Sequence, residues 1–114
     1  MTNAEKFRQL VEAQEQRLLP EKIMLIEKLL YEFTIVGRGI WSDDRLSEQE
    51  IVTALKWLNE MTHRTWNILY DLRRNEEHDS MGRLYANMVQ YAEESRVLGG
   101  HFAASFYAVI CCFS

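Results

Sequence analysis

Proline is almost missing from this chain: Pro20 is the only one among 114 residues, and glycine occurs just five times. Few positions are therefore barred from a helix, and the plentiful Leu, Glu, Ala, Met and Arg add intrinsic helix preference from end to end. Repeats, low-complexity tracts and linker-like stretches are missing too, so residues 1–114 read as a single helical domain. A chain of this length buries roughly two-thirds of its unfolded surface and folds without covalent staples.

Cysteine is as scarce. Cys111 and Cys112 are the only two, and neighbours in sequence resist the separation that disulfide geometry requires. A buried, reduced pair in a cytoplasmic protein is the expectation. No sign of charge is present in large excess: 13 Lys and Arg stand against 17 Asp and Glu, a net charge of −4. That balance leaves no basic face for phosphate backbones, which excludes general nucleic-acid binding and suits a protein partner better. The first twenty residues lack the charged region and apolar run of a secretory signal or membrane span. No membrane partner is expected. What remains, 47% hydrophobic and 26% charged residues, is the balance of a globular core under a solvated surface.

Punctuation in the sequence divides it into five helical segments. The first, Asn3 to Leu19, carries Phe7, Leu10, Val11 and Leu18 on one stripe that Gln14 interrupts. Pro20 suits the first turn of the second, where its missing N–H costs nothing. Glu21 to Val36 sets Ile23, Leu25, Ile26, Leu29, Leu30, Phe33 and Val36 in one arc and Met24, Tyr31 and Ile35 in a second patch, so this helix should touch neighbours on two sides. Gly37 to Ser47 reads as a structured loop whose Trp41 packs back on the bundle. Ser47 followed by Glu50 is a capping-box signature for a third helix, Glu48 to Arg74, with apolar residues at intervals of three and four. The fourth, Met81 to Val97, has Met81, Leu84, Tyr85, Met88 and Ala92 on one face. After Gly99 and Gly100, the stretch Phe102 to Phe113 is apolar all round apart from Ser105. At under ~20 Å as a helix it is too short for a bilayer core of about 30 Å, so it belongs in a core or a dimer interface.

Chemistry concentrates at Glu60 to Leu69. At about 100° per residue, Lys56, Glu60, His63, Asn67, Asp71 and Arg74 point away from the apolar stripe, which leaves His63 exposed with Glu60 and Asn67 a turn away on either side. A carboxylate at i−3 can hold an imidazole in one tautomer and free its other nitrogen as a nucleophile. Phosphoryl transfer onto histidine needs that arrangement, with donors such as Arg64 and Asn67 to meet the phosphoryl oxygens. Trp57, Trp66 and Tyr70 flank the polar face as a candidate partner surface.

The pattern Glu-x-x-His-Arg-x-x-Asn-x-Leu, carried by Glu60, His63, Arg64, Asn67 and Leu69, resembles the phosphoacceptor helix of sensor histidine kinases of the HWE type. In that family the histidine lies on a dimeric helical hairpin, takes phosphate from a separate ATP-binding domain and passes it to a response-regulator aspartate. This chain has Trp66 where the family has a lysine, a short segment after His63, and no glycine-rich nucleotide box. The resemblance implies a stand-alone phosphotransfer or decoy module in two-component signalling, with a response regulator or kinase as partner.

Three other patterns compete. Glu60-x-x-His63 is half of the Glu-x-x-His signature of di-iron bundles, to which Glu27 or Glu32 could add a carboxylate. Arg73 or Arg74 with His78 resembles the Arg-then-His motif of HEPN domains, helical bundles that often cut RNA. Cys111 to Ser114 satisfies the C-a-a-X prenylation pattern in form, although no polybasic stretch precedes it. The reading that follows is an all-α protein, a compact homodimeric bundle of four or five helices. It is a non-catalytic interaction or regulatory protein without a cofactor, with histidine phosphotransfer as its most concrete version.

Overall fold

The computed structural model describes residues 3–74 and 79–94. They form four α-helices, α1 (Asn3–Ala13), α2 (Leu19–Trp41), α3 (Glu48–Arg73) and α4 (Ser80–Glu94), with a 3-10 turn at Gln14–Gln16 after α1. Among the described residues there is no strand, as the composition implies. The fifth segment, with Cys111 and Cys112, and the residues 95–97 that were to end the fourth lie outside the described residues, as does His78.

Local chemistry sets the helix starts. Pro20 occupies the first turn of α2. At α3 the Ser47 hydroxyl accepts from the Glu50 backbone N–H at 3.1 Å, while the Ser47 N–H donates to the Glu50 carboxylate at 3.1 Å. Two of the donors a helix leaves open at its start are thus satisfied reciprocally. Before α4 the chain passes through Asp79 at φ 47, a left-handed conformation that aspartate tolerates better than most residues.

Several expectations are corrected. The second helix does not stop at Val36 but runs through Gly37 and Gly39 to Trp41. The two glycines together cost about 2 kcal/mol of helix preference, and burial of Ile40 on the continued helix offsets about as much. Trp41 does not pack back: it is 72% exposed, because it lies about 100° round the helix from Ile40. Leu18 also leaves its expected stripe and is 70% exposed. It sits in extended backbone between the 3-10 turn and α2, where helical periodicity no longer applies. Gln14, by contrast, extends that stripe. It is buried, donating to the Leu10 carbonyl at 3.1 Å and accepting from the Arg17 guanidinium.

The short connection between α2 and α3 makes them neighbours, and they form the main pair of the bundle. α4 packs on α3, and α1 packs on α4. Leu25, Ile26, Leu29 and Phe33 of α2 meet Ala54, Leu58, Met61, Ile68, Leu69 and Leu72 of α3 in one core, closed by Val11, Met81, Leu84 and Met88. Thr65 belongs to the same stripe because its hydroxyl donates to the Met61 carbonyl at 2.8 Å and needs no outside partner. The second patch on α2, Met24, Tyr31 and Ile35, is exposed rather than covered by a second neighbour. Among the described residues, only one side of α2 is buried in the bundle.

Candidate functional site

With the stripe from Ala54 to Leu72 turned inward, the rest of α3 is an open face more than six turns long. His63, Glu60, Arg64 and Asn67 are all exposed on it, as their spacing implies. They do not share one recess. Glu60, His63 and Arg64 line a groove of about 350 Å³ together with Asn59. Asn67 turns to a second groove, about 320 Å³, between α3 and α4, where it meets Arg64, Ile68, Arg83, Ala86 and Asn87. Arg64 is the ridge between the two.

The His63 imidazole makes no hydrogen bond or ion pair with any described residue. It stands within the first groove with a carboxylate on one flank and a guanidinium on the other. A ring in that setting can accept a group from solvent, and the neighbouring cation can meet developing negative charge on an incoming oxyanion.

The aromatic residues also separate. Trp66 and Tyr70, one turn apart, are 49% and 59% exposed, and the Arg74 guanidinium lies over the Tyr70 ring at 5.3 Å from its centroid. Trp57 packs against the core instead, and lines a hollow of about 140 Å³ with Gln49, Glu50, Thr53 and Ala54. It lies nine residues from Trp66, about 180° round the helix, so the three aromatics do not form a single surface.

Arg83 and Asn87 escaped the sequence reading. Their i, i+4 spacing put them together on one side of α4, but nothing in the sequence told which element they would face. The structure turns them to α3, where Arg83 Nη1 donates to Asp71 Oδ2 at 2.9 Å. Among the described residues, no three His, Cys, Asp or Glu side chains converge as metal ligands. Glu27, the carboxylate considered beside Glu60, lies instead against the Arg73 guanidinium at 3.7 Å. Glu32 is half-buried on α2. The same bridge occupies the Arg73 of the Arg-then-His pattern, whose His78 lies outside the described residues. Among the described residues no helix is long and apolar enough to cross a membrane. No protein-family model, curated protein or solved structure matches this chain.

Proposed function

We propose that this chain is a small helical interaction or regulatory protein that works through the outer face of α3. In its most concrete form it is a stand-alone histidine phosphotransfer module, with His63 as phosphoacceptor and a response regulator or kinase as partner. The observation that carries this reading is the solvent-facing His63 imidazole, set in one groove with Glu60 and Arg64. An imidazole nitrogen attacks phosphorus, and the arginine meets the charge that builds on the phosphoryl oxygens. Asn67 acts from the far side of Arg64, on the phosphorylated or partner-bound state.

The protein acts as a homodimer. Exposed apolar side chains on both long helices support this: Met24, Tyr31 and Ile35 on α2, and Val52, Trp66 and Tyr70 on α3. Trp66 and Tyr70 are of the type that anchors protein interfaces.

Incubation with phosphoramidate tests the phosphotransfer reading. The P–N bond of the donor breaks, ammonia leaves, and a new P–N bond forms to the ring. Mass spectrometry under acid-free conditions should find a single phosphate on His63 and none in His63→Ala protein. A wild-type protein that stays unmodified at His63 would overturn it.

A further inference from the structure

α3 has 26 residues and α4 has 15, so at 1.5 Å per residue α3 outruns its neighbour by roughly 16 Å. The unmatched length lies at the start of α3. Arg83 meets Asp71, and one turn on Asn87 shares a groove with Asn67 and Arg64, so α4 runs antiparallel to α3. Two turns beyond Asn87, α4 ends at Glu94, level with the Trp57–Glu60 turn of α3. Trp57, Thr53 and the pair Gln49 and Glu50 precede Arg64 by close to whole helical turns, so they continue the side of α3 that α4 covers further along. That side is hollow. Ala54, at 1% exposure, and the half-buried Trp57 give an apolar base to a recess of about 140 Å³, and all its lining residues come from α3.

We propose that the apolar stretch Phe102 to Phe113 docks in this hollow, beside α3 and beyond the end of α4. Where the described chain ends decides for this occupant over a separate partner. The stretch follows Glu94 by only the residues 95–101, which reach up to about 24 Å and so span the unmatched length of α3. A tether that short sets an effective concentration on the order of millimolar, which a free partner seldom matches. The lengths also agree, since residues 102–113 would cover about 18 Å as a helix against roughly 16 Å left open. Phe102, Phe106, Val109, Ile110 and Phe113 are driven out of water, and the stretch has no charged residue to oppose it. The hollow admits a side chain of this kind, to which Trp57 offers a ring. Docked there, the stretch leaves Trp66, about 180° round α3 from Trp57, open to a partner. The inference stands apart from His63 reactivity and from the homodimer.

Photo-crosslinking of the full chain tests it. p-Benzoylphenylalanine replaces Thr53, and after irradiation the protein is separated under denaturing conditions and mapped by mass spectrometry. A product with the mass of one chain, joining position 53 to a peptide within 102–113, is expected, in a yield unchanged by about tenfold dilution. The same probe at Val52, an exposed neighbour about 100° round α3, should give about tenfold less of it. Gln49, exposed on the same side as Thr53, carries the probe as a second position if the half-buried Thr53 site does not tolerate it. Products of doubled mass alone would place the stretch on a second copy and overturn the proposal. So would a yield from Val52 equal to that from Thr53 and Gln49, or the absence of any 102–113 peptide from both.

Discussion

The Glu15 carboxylate accepts a hydrogen bond from the backbone N–H of Met81 at 2.8 Å, so a residue of the 3-10 turn caps a helix 66 positions further along the chain. Its oxygens also lie 3.3 and 3.5 Å from the Ser80 hydroxyl, and one is 3.5 Å from Lys22 Nζ. Lys22 is only 3% exposed. A single carboxylate thus joins the turn after α1 to the starts of α2 and α4, supplying an anion where the α4 dipole is positive and a counter-charge for a buried ammonium.

Glu15→Ala removes its contacts with Met81, Ser80 and Lys22. Loss of the cap and of the Lys22 counter-charge should together cost about 2–3 kcal/mol, read as a lower urea midpoint with unchanged slope. Adding Lys22→Met should restore at least about 1 kcal/mol, since the ammonium is then no longer buried without its carboxylate. A single variant within about 0.5 kcal/mol of the parent would show that the contact carries no net stability.

The capping box of α3 is a local device and should behave as one. Ser47→Ala should cost about 1 kcal/mol in urea denaturation. Glu50→Ala removes only the reciprocal half and should cost less. Equal stability of Ser47→Ala and the parent would mean that packing alone fixes the start of α3.

These two devices mark what the sequence could and could not tell. Ser47 and Glu50 are three residues apart, so their chemistry is visible in the sequence, and the core stripe of α3 is visible for the same reason. Glu15 and Met81 become neighbours only through packing, and neither residue announces a cap. Gln14 likewise appeared as a break in its stripe, and nothing in the sequence marked Lys22 as buried, because a polar side chain is buried only when a partner from elsewhere meets it. At the site, the exposure of His63 followed from periodicity alone. The division of Arg64 and Asn67 into a second groove did not, since that groove needs Arg83 and Asn87 from α4.

Trp66 and Tyr70 are predicted to matter for association and not for folding. Replacing both by Ala should change monomer stability by about 0.5 kcal/mol or less per site, because neither is in the core. Light scattering should give a dimer for the parent and a monomer for the double variant. If both proteins have the same mass in solution, this face is not the homodimer contact.

Gly37 and Gly39 provide a paired test of how α2 is held. Both lie inside the helix, so alanine at either gains up to about 1 kcal/mol of helix preference and loses unfolded-state freedom. A Cβ added at Gly39 meets nothing within 4 Å, so Gly39→Ala should stabilise by about 0.5–1 kcal/mol. A Cβ at Gly37 would lie 3.2 Å from Leu58 Cδ2, and Leu58 is a core residue at 6% exposure with little room to yield. Crowding against Leu58 should cancel the helix gain there, leaving Gly37→Ala neutral or up to about 1 kcal/mol less stable. The difference between the two variants, measured in urea, isolates tertiary packing from helix preference. A Gly37→Ala protein stabilised as much as Gly39→Ala would show that α2 and α3 move apart freely at this point.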